Sequence, residues 1–448
     1  MKKILAIASN ATAFNWFCGI INNIRKFVVE NQYSFVIFYA NCNNIEELMK
    51  KNGFTEAEGE IELINAEKKF ASSYSSILRK IYHHRWVSGT SLGKYLRYKD
   101  RVVQIREMKD NVKRWMERNT PDVVLLYGDR ILWIETIAAS VTKELALPSI
   151  FCFNAAPSTE TKRSRINEKY KVGKIFPLFD NYVAKQNENL FIHHDGNKYR
   201  FYDSVEALAG VKNKCISLNP WINGGGDSMY IAARDKIQYD DLKQCLGREE
   251  FARKVKLTGD LEEINVIDSY NNREKIKDSL KVKYSLLGQN ALRGSKIVIC
   301  AVPKYVHGYS HNKYMENVET LLSVFKGHEE YEVCLSIHPK NSFEDYKELE
   351  SKFRCKILEE PLKNIIGIGN MFIVQEKTAT VYWAQLLQMP YFEVSEEFSK
   401  RQFSKRDFDG LEKMLDEDGV ISTKNRVIRK PVEKDFYDML REILQEKV

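Results

Sequence analysis

The chain has 448 residues, more than one hydrophobic core usually organises, so it divides into about two to three domains of ~150–200 residues. With 44% of residues hydrophobic, 12% aromatic and only 22 Gly and 10 Pro, it is a globular protein, neither disordered nor fibrous. Its net charge of +8, from 69 Lys+Arg against 61 Asp+Glu, is modest unless concentrated in one place.

In chain order, Met1-Lys2-Lys3 and the apolar Ile4-Leu5-Ala6-Ile7-Ala8 begin like a secretory signal, but polar Ser9-Asn10 ends the run too early. The segment reads as a first strand over 3–8, followed by a helix across 17–29 and a strand at 34–39, the opening of a Rossmann-like domain. After a long helical stretch come a strand at 122–127, a helix at 131–145 and a strand at 148–153, with loops marked by Asn219-Pro220-Trp221 and Gly224-Gly225-Gly226. The second half repeats the alternation: strands at 295–301, 331–337, 355–358, 371–374 and 391–394, helices at 314–326, 343–352 and 378–388. A last helix near 433–446, beyond Pro431, is placed to pack back on the first domain. The expected fold is α/β, two Rossmann-like domains facing a central cleft: 1–262, with a helical basic insert at about 66–118, and 263–448.

No run approaches the ~18–20 apolar residues that cross a bilayer, so any membrane contact is peripheral. The eight cysteines, at 18, 42, 152, 215, 245, 300, 334 and 355, form no C-x-x-C pair and read as buried, reduced thiols rather than disulfides or a zinc site, which fits a cytoplasmic location.

Open α/β sheets bind ligands at the carboxyl ends of their strands, which directs attention to four loops. In Leu335-Ser336-Ile337-His338-Pro339-Lys340, Pro339 stiffens a strand exit, His338 can donate an N–H to a phosphate oxygen and Lys340 adds charge. In Val374-Gln375-Glu376-Lys377-Thr378-Ala379-Thr380, the hydroxyls and amides of Thr378, Ala379 and Thr380 at a helix start make either an anion site or a simple cap. The pairing with His338 in the same domain favours a shared phosphate ligand. In Leu126-Tyr127-Gly128-Asp129-Arg130, Gly128 permits close approach and Asp129 is a candidate general base; a helix cap with Arg130 as its partner is the alternative. The run from Pro303 to His311 is rich in donors, with a solvated loop as the alternative. Asn10 and Thr12, past the first strand, face the same expected cleft, and helix capping explains them equally well.

Taken in order, these segments resemble the two-domain nucleotide-sugar glycosyltransferases of the GT-B type and the UDP-N-acetylglucosamine 2-epimerases that share their fold. The resemblance spans Thr120-Pro121-Asp122 through Gly128-Asp129-Arg130, Leu147-Pro148-Ser149-Ile150, Val255-Lys256-Leu257-Thr258-Gly259-Asp260, His311 through Glu316-Asn317, and His338-Pro339. Thr378 falls where capsule-type transferases carry a Ser that contacts donor phosphate. Epimerases carry an Asp-Ser-Gly-Gly loop and a Glu-Ala-Gly stretch, where this chain reads Glu376-Lys377-Thr378-Ala379 and Asn154-Ala155-Ala156, so the resemblance favours the transferases. Trp383-Ala384 stands where many members have Glu-Ala with a ribose-binding Glu; Glu359 and Glu360, in the region of nucleobase contacts, can hold the ribose instead.

The resemblance implies transfer of a sugar from a UDP- or CMP-linked donor to a bacterial surface glycan or lipid-linked glycan, of capsule or lipopolysaccharide type. The donor would lie among His311, His338, Pro339, Lys340, Glu359, Glu360, Thr378, Ala379 and Thr380, with Asp129 as base and Asn10, Thr12 and Arg130 on the acceptor side. No metal and no cofactor beyond the nucleotide-sugar substrate is implied. Asp407-Phe408-Asp409 and Asp416-Glu417-Asp418 have Asp-x-Asp spacing but read as a solvated face. An epimerase-like isomerase or hydrolase and a non-catalytic nucleotide-sugar binding protein are the alternatives. A dinucleotide dehydrogenase is disfavoured, because Gly367-Ile368-Gly369-Asn370 lacks the third glycine.

Residues 79–118 hold twelve Lys+Arg and four acids, an excess equal to the whole chain's +8. Interleaved with Trp86, Tyr95, Tyr98 and Trp115, this stretch can dock on anionic lipid at the inner face of the cytoplasmic membrane or hold an acidic acceptor, with a solvated helical face as the alternative. Nucleic acid is not an expected partner.

Overall fold

The structure, a computed structural model, describes residues 2–42, 45–51, 53–54, 61–71, 81–82, 86–87, 90–130, 134–152, 162, 166, 170–172, 182, 185, 187–217, 219–284, 296–302, 310–338, 341–375, 378, 380–395, 398, 405–416, 432 and 434–445. The chain forms two compact units, Met1–Gly259 with Val432–Val448, and Asp260–Pro431.

The first unit is built on seven parallel strands: β1 (Lys2–Ala8), β2 (Tyr33–Tyr39), β3 (Ile61–Asn65), β4 (Val123–Leu126), β5 (Ser149–Cys152), β8 (Tyr230–Ala233) and β9 (Val255–Leu257). A separate antiparallel hairpin joins β6 (Phe191–His194) to β7 (Asn197–Arg200). The sheet order is β3-β2-β1-β4-β5-β8-β9, so the chain winds outward from β1 in one direction and from β4 in the other. That reversal makes the β1/β4 carboxyl edge the position where such sheets open a crevice. Both strands are fully buried apolar runs, Ile4 to Ala8 and Val123 to Leu126, as a parallel sheet covered on both faces requires.

The helix Ala11–Glu30 starts where Asn10 Oδ1 accepts from Ala13 N–H at 3.0 Å, six residues before the 17–29 expected from sequence. The C-terminal helix Phe436–Gln445 belongs to this unit. It buries Phe436, Leu440 and Leu444, Asn23 Nδ2 donates to Tyr437 Oη at 2.7 Å, and Tyr33 Oη donates to the Leu444 carbonyl at 3.2 Å.

The basic stretch contains the helix Ser91–Asn119, 29 residues long, capped by Thr90 Oγ1 on Gly93 N–H. At 1.5 Å per residue it runs ~43 Å. Ile105, Val112 and Met116 enter the core, where Phe38 meets the rings of Phe70 and Trp115. Several of its cations are bound to other helices: Arg97 to Asp203 (3.3 Å), Arg101 to Glu206 (2.8 Å), and Lys109 and Lys113 to Glu144 (2.5 and 3.4 Å). Lys99, Arg106, Arg114 and Arg118 are exposed, together with acidic Asp110 and Glu117.

The second unit has five parallel strands, β10 (Lys296–Val302), β11 (Tyr331–Ile337), β12 (Cys355–Leu358), β13 (Met371–Gln375) and β14 (Tyr391–Val394), in the order β12-β11-β10-β13-β14. Its reversal falls between β10 and β13, and apolar clusters cover both faces. The Gly367-Ile368-Gly369 run is a packing device here. A Cβ on Gly367 would sit 2.2 Å from Tyr270 N, and Gly367 N–H donates to Ser269 Oγ at 2.9 Å, which seats the helix Leu261–Asn271. All eight cysteines are free thiols, six of them buried.

Candidate active site residues at the strand ends

In the first unit, Ser9 and Asn10 follow β1 while Gly128, Asp129 and Arg130 follow β4. Asn10 both caps the helix Ala11–Glu30 and donates through Nδ2 to Ser9 Oγ at 3.3 Å; Thr12, in the first turn of that helix, is exposed. Asp129 is sunk in the protein at 3% exposure, its Oδ2 accepting from Gly226 N–H at 2.9 Å. A Cβ on Gly226 would lie 2.8 Å from that oxygen, so the glycine is what lets the loop close over the carboxylate. Burial drives the Asp129 carboxyl above its ordinary value, against the pull of Arg130, the Gly226 and Gly224 amides and Lys254. Arg130 lies over the Phe201 ring, its Nη1 donates to the Pro220 carbonyl at 3.4 Å, and its own carbonyl accepts from Tyr202 Oη. Asp129 and Arg130 therefore tie the β4 loop to Pro220 and Gly226, and the carboxylate expected to meet an acceptor hydroxyl faces protein instead.

A second carboxyl at the same edge is absent from the residues picked out by motif. Glu135, in the first turn of the helix Ile134–Glu144, accepts from Ser9 Oγ at 2.8 Å. Its Oε2 lies 2.4 Å from where a Cβ on Gly128 would stand, which explains the glycine after β4. Burial pushes its carboxyl up to about 7, opposed by hydrogen bonds from the Ser9 hydroxyl and amide and aided by the charge of Asp129.

In the second unit, His338 leaves the end of β11 half-buried, and its carbonyl accepts from Asn341 N–H at 2.8 Å. Asn341 Nδ2 donates in turn to Tyr346 Oη at 2.8 Å, and Tyr346 shares a 2.8 Å hydrogen bond with Tyr314 Oη. Burial pushes the Tyr346 hydroxyl up to about 12, so this pair stays neutral and holds the loop as a hydrogen-bonded clamp. His311, at the start of the helix His311–Ser323, pairs with Asp345 at 3.3 Å. After β13, Thr378 Oγ1 donates to the Gln375 carbonyl at 2.7 Å and lies 3.0 Å from Thr380 Oγ1. The helix there, Thr380–Leu386, has only seven residues, shorter than the 378–388 expected, so the hydroxyl pair rather than a helix end is the feature of this loop. Pro339, Lys340 and Ala379 lie outside the described residues, as do 303–309.

Glu359 and Glu360, after β12, are held by residues of their own unit. Lys283 Nζ lies 3.1 Å from Glu359 and 2.9 Å from Glu360, while Tyr284 Oη donates to Glu360 at 2.9 Å and accepts from Glu359 N–H at 3.0 Å. A ribose would compete with Lys283 for these carboxylates. Asp407 and Asp409 sit two residues apart in the helix Lys405–Asp416, roughly 200° around its axis, a spacing that cannot present both carboxylates to one ion. No helix among the described residues is long and apolar enough to cross a membrane.

No family model and no curated protein matches this sequence. Among solved structures, a UDP-GlcNAc 2-epimerase from Neisseria meningitidis, bound to UDP-GlcNAc, aligns over 100% of both chains at a TM-score of 0.51 and 10% identity. A putative UDP-N-acetylglucosamine 2-epimerase from Listeria monocytogenes aligns over 94% of this chain and 89% of its own, at a TM-score of 0.46 and 10% identity. A glycosyltransferase from Rickettsia africae aligns over 99% of this chain and 93% of its own, at a TM-score of 0.42 and 10% identity. The first of these likenesses establishes the fold: two Rossmann-like α/β units of the kind the sequence motifs resemble.

Proposed function

We propose that the protein is a glycosyltransferase that takes a UDP- or CMP-linked sugar and transfers it to a surface glycan or lipid-linked glycan. The observation that carries this reading is the pairing, at one sheet edge of the second unit, of His338 after β11 with the Thr378/Thr380 hydroxyls after β13, on the strands flanking β10. These are neutral or cationic donors suited to phosphate oxygens. In the mechanism, His338 donates a ring N–H to the phosphate next to the breaking bond, and a phosphate oxygen draws the hydrogen of Thr378 or Thr380 away from its resting partner. Charge appearing on the departing nucleotide meets fixed donors, the electrostatic contribution that commonly amounts to ~10²–10³ in rate per donor. The acceptor belongs at the β1/β4 edge of the first unit, beside Asn10, Thr12 and Ser9. The nucleotide-sugar is a substrate, and no further cofactor enters the scheme.

The rival reading, a 2-epimerase-like isomerase, draws on the fold shared with the meningococcal enzyme. A panel of UDP-, CMP- and CDP-sugars screened by thermal stabilisation identifies the donor, since a ligand that binds the native state raises its melting temperature. His338→Ala should abolish most of that shift, and an unchanged shift would remove His338 from the phosphate site. Sugar turnover without any acceptor would replace the transferase by the isomerase. The exposed row Lys99, Arg106, Arg114 and Arg118 is the proposed contact with anionic lipid or an acidic acceptor. Co-sedimentation with phosphatidylglycerol vesicles should weaken with salt and with charge reversal of these four; binding indifferent to both counts against it.

A further inference from the structure

We propose that Ser9 and Glu135 form a proton relay at the β1/β4 edge, with Ser9 Oγ receiving the acceptor's hydroxyl proton and Glu135 receiving the proton Ser9 gives up. This deepens the transferase reading and rests on it. Ser9 is the first residue past β1, partly exposed, and its hydroxyl already points its hydrogen at Glu135 Oε1, 2.8 Å away. Asn10 Nδ2, 3.3 Å from Ser9 Oγ, is anchored by its own cap to the helix Ala11–Glu30 and fixes that oxygen from the other side. Glu135 itself is 5% exposed, and the partly exposed hydroxyl bonded to it is that of Ser9. Gly128 supplies the space its carboxyl occupies.

In the step, the acceptor O–H bond breaks as its oxygen bonds to the anomeric carbon of the sugar. The proton passes to Ser9 Oγ while the Ser9 hydrogen moves to Glu135 Oε1. The bond from the anomeric carbon to the phosphate oxygen breaks, and its electron pair leaves on the nucleotide. After product departs, Glu135 returns its proton through Ser9 to solvent, restoring the start.

A base must be free of its proton at working pH yet basic enough to accept one. Burial brings Glu135 to about 7, where both conditions hold. Among the described residues, the groups facing it are the hydroxyl and amide of Ser9, just past β1, and the carboxyl of Asp129 from the β4 loop. From the helix Ser91–Asn119, which packs beside Ile134–Glu144, Lys109 and Lys113 engage Glu144 at the opposite end of that helix.

The test is the pH profile of kcat for acceptor-dependent transfer by the full chain, using the donor found in the stabilisation panel. Wild-type kcat should fall below about pH 7. Glu135→Gln keeps the shape but not the base, and should lower kcat by ~10²-fold or more and flatten the acid limb, with donor stabilisation unchanged. Ser9→Ala should show a comparable loss, and Ser9→Thr, which keeps a hydroxyl, should recover most of the rate and the acid limb. An acid limb that survives in Glu135→Gln, or wild-type kcat in Ser9→Ala, overturns the relay while leaving the transferase reading intact. Wild-type turnover that needs no acceptor overturns both.

Discussion

Glu135 makes stability depend on pH in a direction opposite to most carboxylates. Its carboxyl stands at about 7 in the folded chain against 4.5 for an ordinary exposed glutamate, so the folded state holds the proton more tightly. The stability it contributes is complete below pH 4.5 and is lost as pH rises through 7, about 3 kcal/mol in all. Glu135→Gln should therefore gain on the wild type in urea midpoint at pH 8–9, with the gap closing below pH 4.5; a pH-independent gap would place the shift elsewhere. Gly226→Ala should cost about 2–3 kcal/mol in the same assay, because its Cβ would crowd Asp129 Oδ2 at 2.8 Å and the Asp129 carbonyl at 3.0 Å. The Gly128-Asp129 pair is legible in sequence, since a strand followed by Gly-Asp advertises a loop. Glu135 is not: an acid in a helix's first turn is ordinary dipole chemistry, and its partner Ser9 lies 126 residues away. Only the β1–β4 pairing brings the two together.

Between elements, the long basic helix is fastened by charge as well as by its apolar face. Lys109 Nζ is enclosed between Glu144 Oε1 (2.5 Å) and the Asn213 carbonyl (3.0 Å), whereas Lys113 meets the same carboxylate near solvent. Burial raises the Glu144 carboxyl, but the hydrogen bonds and charges of Lys109 and Lys113 outweigh it and leave it below its usual value. Lys109→Ala should lower the unfolding free energy by about 2 kcal/mol and Lys113→Ala by under ~1 kcal/mol, read from denaturant melts. The sequence showed this segment as surplus charge because its counter-ions, Asp203, Glu206 and Glu144, sit on helices far along the chain. The strongly apolar strands β1, β2, β4, β5 and β10 to β14 are readable from composition alone. Ile61–Asn65, with Glu62 and Asn65 in it, and Tyr230–Ala233, half alanine, are not: they are strands because a neighbour offers a free edge.

At the largest scale, the first unit is completed by residues Val432–Val448, which follow the second unit in the chain. Deleting 432–448 removes the buried Phe436, Leu440 and Leu444 and the hydrogen bonds to Asn23 and Tyr33. Hydrogen exchange should quicken in Lys2–Ala8 and Tyr33–Tyr39 and stay unchanged in Lys296–Val302 and Met371–Gln375. Uniform protection across both units would show that the helix is dispensable.

That arrangement also sets an order of events on the ribosome. The sheet strands of the first unit, ending at Leu257, emerge well before Phe436, and all of Asp260–Pro431 is made in between. At ~5–20 residues per second this interval is about 10–30 s, during which Asn23 and Tyr33 wait without their partners. The second unit has every residue it needs before the first does, so of these two units the one begun earlier is the one completed later.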